Sequence, residues 1–243
     1  MKHLFLALIT VAWATTLQAQ TTTTLPDKPE VILVQGGTFT MGSSVEEDEK
    51  PHLQKLESYS IGKYPVTVGQ YKKYCTATGT AMPVSPFYGW NDKSPIVNVN
   101  YYDAVAYCRW LGKQYGGDWR FPTEAQWEFA ARGGNESKGY TYSGGNDLEE
   151  VAWYRQNSGY KSHTVGLKKP NELGIYDMSG NVSEWCKNWY GEYNPKFTSH
   201  DPFIVIRGGS WFDSATSCRV ACRDYFDPSY SNERHGFRVV LSQ

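Results

Sequence analysis

The chain has 243 residues and a net charge of −1, with a pI near 6.5. That is room for one large domain or two small ones, and it excludes both a basic surface that recruits nucleic acid and an acidic tail. Aromatic residues make up 15% (9 Trp, 18 Tyr, 10 Phe) and Gly numbers 23, a composition that suits a loop-rich domain held by large flat side chains.

The N-terminus reads as a secretory signal. Lys2 and His3 precede an apolar run over residues 4–13, and Leu17-Gln18-Ala19 ends on a small residue. The expected organisation is a cleaved signal over 1–19, a polar linker over 20–30 and one folded domain over 31–243. The apolar run is too short for a comfortable membrane span, so the mature protein is expected to be secreted or periplasmic with no transmembrane segment. Export permits disulfides. The five cysteines (Cys75, Cys108, Cys186, Cys218, Cys222) are an odd number, so at least one is free or pairs outside the chain.

Val31–Val34 is a short apolar run broken by Gly36-Gly37, and residues 38–42 alternate as a second strand would. The charge run 46–50 reads as a solvated loop. Residues 59–64 predict another strand. Thr67 is placed to cap a helix over 68–76, with Gly79 just past its end. Asn100 is placed to cap a helix over Tyr101–Tyr115, with Ala104, Ala106, Trp110 and Leu111 on its inner face. Thr123-Glu124-Ala125-Gln126 is a capping box opening a third helix that ends at Gly133-Gly134. Beyond it, aromatic segments alternate with Gly, Asn, Asp and Ser turns, and residues 236–241 predict a final strand. Helices early and strands late point to α+β rather than a repeating βαβ sheet.

Several segments carry a resemblance. In order they are Gly36-Gly37-Thr38-Phe39-Thr40-Met41-Gly42, Tyr64-Pro65-Val66-Thr67, Pro95-Ile96-Val97-Asn98-Val99, Arg120-Phe121-Pro122-Thr123-Glu124-Ala125-Gln126-Trp127-Glu128, residues 174–185 (GIYDMSGNVSEW), Arg207-Gly208-Gly209-Ser210-Trp211 and Gly236-Phe237-Arg238. Together they resemble the formylglycine-generating-enzyme (sulfatase-modifying factor) superfamily over about residues 31–241. The resemblance implies that family's irregular, C-type-lectin-like α+β fold. Read structurally, Trp127, Trp185 and Trp211 are core anchors, and Arg207 and Arg238 donate to buried carbonyls or carboxylates.

Formylglycine-generating enzymes oxidise a Cys in a Cys-x-Pro-x-Arg motif. The resemblance implies copper on two cysteines after Arg-Gly-Gly-Ser, soft thiolates suited to Cu(I). Here the frame of Ser210 puts Asp213 at the first Cys position and Ser214 at the His that usually follows it. Cys218 matches the second and is the catalytic candidate if the chain is an oxidase. Ser183 stands where a Trp is usual. A hard carboxylate is a poor Cu(I) ligand, so these departures argue against copper. Cys218 and Cys222 could share a soft metal on a turn but not on a strand, where positions four apart lie roughly 13 Å from each other. The resemblance also implies a calcium site in which Asp177 and Glu184 supply carboxylates and Gly180 and Val182 carbonyls, the hard oxygen set that Ca²⁺ takes. A plain turn-and-capping role is the alternative.

Between fixed-looking positions the C-terminal segment carries aromatic, Ser, Thr, Asp and Asn residues from Phe212 to His235, Thr216, Asp224, Asp227, Ser229 and Ser231 among them; the ten contact candidates are Trp211, Phe212, Asp213, Ser214, Ser217, Tyr225, Phe226, Tyr230, Asn232 and His235. Rigid aromatic area beside small polar groups is the chemistry of an adaptable binding surface. The segment also resembles the variable region of diversity-generating-retroelement proteins, whose adenine-mutated codons give Phe, Ser, Tyr, Asp and His. Glu233 does not fit that limit unless it is a fixed position. Three readings stand. They are a binding module for a protein or small-molecule ligand without oxidase activity, an oxidase or other enzyme with a remodelled site, and a structural component of an envelope assembly.

Overall fold

Three helices begin on a reciprocal cap, in which a polar side chain takes the amide of the third helical residue and that residue's side chain takes the cap amide. Thr67 and Gln70 open α1 (Val68–Thr78), Asn100 and Asp103 open α2 (Tyr101–Tyr115), and Thr123 and Gln126 open α3 (Glu124–Ala131). α1 stops where Gly79 adopts φ 73°, the left-handed conformation that glycine takes without a side-chain penalty. A fourth helix, α4 (Leu148–Val151), is a single turn. The computed structural model describes residues 28–192 and 202–242, so the expected signal and most of the linker lie outside the described residues. No described helix is long and apolar enough to cross a membrane.

Among the described residues the strands form three sheets. β1 (Val31–Val34) and β4 (Tyr59–Gly62) pair antiparallel, and β10 (Val240–Leu241) lies between β4 and the short β5 (Trp119–Arg120). β2 (Gly37–Met41) and β3 (His52–Leu56) make a hairpin. The sheet that positions the site has the order β8-β7-β6-β9, built from β6 (Ser183–Trp189), β7 (Ile204–Arg207), β8 (Arg223–Phe226) and β9 (His235–Gly236), with β9 parallel to β6.

Successive strand side chains point to opposite faces. Trp185, Ile204 and Ile206 therefore enter a core with α1 and α2, while Cys186 and Val205 enter another with Trp127 and Phe129 of α3. Every residue of β7 is buried, as a continuously apolar strand covered on both faces should be. The high aromatic content is spent here: Tyr71, Tyr74 and Trp110 surround Tyr107 at ring distances of 5.6, 5.6 and 5.7 Å.

Two expectations need correction. The charge run 46–50 is not simply solvated. Glu47–Glu49 is a 3₁₀ turn, and Glu49 is buried with its carboxylate gripped by both terminal nitrogens of Arg219 at 2.9 and 2.8 Å. The final strand is not continuous. It divides into β9 and β10 in different sheets, and between them Arg238 turns its guanidinium inward.

Candidate functional site

Buried ion pairs tie α3 to the central sheet. Arg238 donates Nε and Nη2 to the two oxygens of Glu184, both at 2.7 Å, and the Trp127 indole donates to the same carboxylate at 2.7 Å. Arg207 meets Glu128 at 2.5 Å, and Arg223 grips Glu124 at 2.6 and 2.9 Å. Trp127, Trp185 and Trp211 are all buried, and Arg207 and Arg238 are paired, as their structural reading expected.

These pairs decide how the implied calcium residues are used. Both Glu184 oxygens are taken by Arg238 and Trp127 in a fully buried position. Asp177 accepts from the Gly166 amide at 2.8 Å and from Asn181 at 3.3 Å, and burial raises its carboxyl to about 6. The Gly180 amide donates to Gly208 at 2.8 Å, and Val182 lies buried beside Gly236. Both carboxylates of the implied calcium set therefore already accept hydrogen bonds from protein donors. Among the described residues, no group of three or more His, Cys, Asp or Glu side chains could hold a metal ion.

After β7 the chain turns sharply through Gly208 (φ 93°) and Gly209 (φ 64°). A Cβ on Gly209 would lie 2.9 Å from the Ser217 carbonyl and 3.0 Å from Cys218 Sγ, so only glycine lets this loop press onto the cysteine. Asp213 Oδ2 accepts from the amide and the hydroxyl of Ser210 at 2.9 and 2.5 Å, closing the turn from within. Cys218 ends a 3₁₀ turn (Ala215–Cys218) and is wholly buried in an apolar cluster with Leu148, Val151 and Tyr154. Burial, and after it the neighbouring Asp213, push its thiol far above the usual range. Cys222 is half-buried, its thiol pushed up to about 11, mainly by burial. All five cysteines are unpaired. A cavity of about 70 Å³ opens beside this turn, lined among others by Ser183, Asp213, Ser217, Cys222 and Asp224.

The aromatic surface lies next to the turn. Phe212 is 39% exposed, and the guanidinium groups of Arg155 and Arg234 stand 5.4 and 5.0 Å from its ring centre. Among the described residues neither arginine has a carboxylate within salt-bridge reach; Arg155 Nε donates to the Phe212 carbonyl at 2.8 Å. Trp211 packs edge-on against Phe212 (5.6 Å), Tyr88 (6.0 Å) and Phe87 (6.4 Å), and Phe87 is 71% exposed. Glu233 stitches the cluster together. Its carbonyl accepts from Trp211 Nε1 at 2.8 Å and from the Tyr88 hydroxyl at 3.3 Å, and its carboxylate accepts from the Phe87 amide at 2.9 Å.

The ten surface residues read from sequence do not form one patch. Strand alternation sends Tyr225 to the far side of β8, against Tyr190 (4.3 Å) and Phe203 (5.2 Å). Asp224, named in the same segment but not among the ten contact candidates, faces the small cavity instead. Phe226 and Tyr230 stack at 5.3 Å over His235. His235 is buried, and among the described residues its ring nitrogen Nδ1 has no hydrogen-bond partner. Asn232 shapes its own turn by accepting from the amides of Arg234 and His235. Ser214, just before the 3₁₀ turn, and Ser217, within it, are half-buried, and the Ser217 amide donates to the Ser214 carbonyl at 3.1 Å. Phe87, Tyr88, Arg155 and Arg234 were missed. The run Pro86-Phe87-Tyr88-Gly89-Trp90 was the available signal, aromatic residues set in turn chemistry.

Residues 16–243 match the family described as sulfatase-modifying factor enzyme 1-like domain. The chain belongs to this family. Chaperone protein LppX of Paenibacillus barcinonensis is 31% identical over 99% of this chain and 98% of its own length. Among solved structures, Treponema denticola variable protein 1 superposes with a TM-score of 0.75 at 27% identity, over 88% of this chain and 95% of its own. PvdO from Pseudomonas aeruginosa gives 0.77 at 28% identity, over 90% and 96%. The α+β, C-type-lectin-like fold expected of the sulfatase-modifying factor family is the fold observed.

Proposed function

We propose that this sulfatase-modifying factor family member is an exported partner-binding protein, not a copper oxidase, and that it engages its partner through the face around Phe212. What supports this most is the place of Asp213. Its carboxylate stands where the oxidases carry the first copper cysteine, and Ser210 already holds it. The second position, Cys218, sits behind Gly209 as a buried, protonated thiol. A hard oxygen bound to the protein and a thiol in an apolar cluster do not fit Cu(I). Phe212 and Phe87 meanwhile offer rigid exposed area, and two arginines that, among the described residues, have no carboxylate within salt-bridge reach favour acidic groups on the partner. The name of the LppX relative, a chaperone matched along nearly its whole length, agrees with a partner-binding role.

The reading is tested on immobilised peptide arrays that compare acidic-aromatic with basic-aromatic sequences. The wild type is expected to select the acidic set, and an Arg155→Glu/Arg234→Glu double variant to lose it. Equal binding of both sets by both proteins would remove the role assigned to this face.

A second reading is that residues 212–235 are a diversified segment. Glu233, the residue that breaks the adenine-mutation pattern, is the one whose three hydrogen bonds hold the cluster, so it would be a fixed position. The likeness to a variable protein of Treponema denticola agrees with this. A template repeat beside a reverse-transcriptase gene would support it, and codons without adenine at the candidate positions would exclude it.

A further inference from the structure

A separate cavity of about 350 Å³ opens between α2, β5 and β6, and it shares no lining residue with the small cavity beside Asp213 or with the Phe212 face. Its wall includes Tyr101, Val105, Trp119 and Phe121. The rings are fixed. Tyr101 packs on Phe121 at 5.0 Å and edge-on to Trp185 at 6.1 Å, and the Trp119 indole donates to the Gly116 carbonyl at 2.8 Å. The volume is that of small-molecule sites, which are mostly apolar with a few converging polar groups.

The polar groups here are Arg109, Arg120, Lys187 and Asp118, three cations against one carboxylate. Arg120 is immobilised by the Ser242 hydroxyl at 3.1 Å, the Phe121 carbonyl at 2.8 Å and Gln126 at 2.9 Å, and Asp118 lies 3.8 Å from it. Arg109 and Lys187 are exposed and, among the described residues, have no carboxylate within salt-bridge reach. Two positive charges are therefore left uncompensated at the edge of an aromatic-walled cavity. A cationic ligand would be repelled, and a small inorganic anion would leave the aromatic wall uncovered. A compact aromatic anion satisfies both parts, its ring on Tyr101, Trp119 and Phe121 and its charge toward Arg109 and Lys187.

We propose that this cavity is a binding site for small aromatic carboxylates, independent of the partner face. The test is calorimetric titration of the protein with 2-naphthoate, and with the neutral 2-naphthylmethanol as its uncharged counterpart. Saturable naphthoate binding is expected, with the alcohol at least 10-fold weaker. Val105→Trp, which fills the cavity, should weaken naphthoate at least 10-fold. Arg109→Glu/Lys187→Glu changes only exposed side chains, which keeps the fold safe if Val105→Trp does not fold, and it should weaken naphthoate to the level of the alcohol. No saturable binding of naphthoate, equal binding of acid and alcohol, or full affinity in the charge-reversed variant would each overturn the assignment.

Discussion

Asp213 is bonded twice to Ser210, through the backbone amide at 2.9 Å and the hydroxyl at 2.5 Å. One carboxylate thus closes the turn from within, at the position that the family resemblance assigns to the first copper cysteine of the oxidases. Replacing it with Ala should cost about 1.5–3 kcal/mol, the range for a lost hydrogen bond to a charged group. Urea unfolding of Asp213→Ala against the wild type checks this, and an unchanged midpoint would mean that the turn does not depend on the carboxylate.

The Glu184–Arg238 pair carries a larger stake. Removing one partner of a buried, hydrogen-bonded ion pair leaves an uncompensated charge and costs about 3–5 kcal/mol. Glu184→Ala should therefore unfold at much lower denaturant or fail to accumulate as soluble protein. Because the same carboxylate is filled by Arg238 and Trp127, saturating calcium should leave the wild-type melting temperature where a chelator leaves it. A calcium-dependent rise that disappears in Asp177→Asn would restore the calcium role of this segment.

Two buried groups give opposite pH dependences. Asp177 has its carboxyl raised to about 6, mainly by burial, so the folded state holds a proton that the unfolded chain releases. Its contribution is fully present below the unfolded carboxylate range and is lost as pH rises from about 4 to about 6, at about 1.4 kcal/mol per pH unit. His235 is lowered to about 3, by burial first and then by Arg234. The unfolded chain therefore takes up a proton that the fold refuses, and stability falls as pH drops below the ordinary histidine range toward 3. Between pH 4 and 6 the two slopes oppose each other. Asp177→Asn should leave stability rising more steeply with pH there than in the wild type, by about 3 kcal/mol across the window. His235→Gln should shift the slope the other way. Parallel stability–pH curves for the wild type and both variants would contradict the assignment.

The partner face should separate binding from folding. Phe212 and Arg155 lie in an exposed setting, where substitutions typically change stability by no more than about 0.5 kcal/mol. Phe212→Ala should keep the wild-type melting curve and lose at least 10-fold in affinity for the acidic peptides selected on the array. A variant that melts normally and binds normally would move the partner site elsewhere.

Local chemistry was legible wherever a few neighbouring residues decide the outcome. Thr67, Asn100 and Thr123 open the helices they were expected to open, and the paired arginines and buried tryptophans follow from motif residues too large and too polar to be left unsatisfied. What escaped depends on long-range pairing. β3 was not foreseen, because His52–Leu56 has no strong strand signature until β2 lies beside it. Glu49 looked solvated until Arg219, far along the chain, came to meet it. Of the neighbours Asp224 and Tyr225, both in the segment read as a surface, only Asp224 faces the site, because a strand's register decides which of two adjacent side chains does. Phe87 and Tyr88 join the surface through Glu233 and Trp211, across more than half the sequence.

The central claim is tested most directly by incubating the protein with copper, a reductant and a Cys-x-Pro-x-Arg peptide, beside a working formylglycine-generating enzyme, and following thiol-to-aldehyde conversion by mass spectrometry. The account predicts no conversion by this chain while the control turns over, because Asp213 is bonded to Ser210 and Cys218 is sealed behind Gly209. Aldehyde formation that is abolished in Cys218→Ala would contradict it.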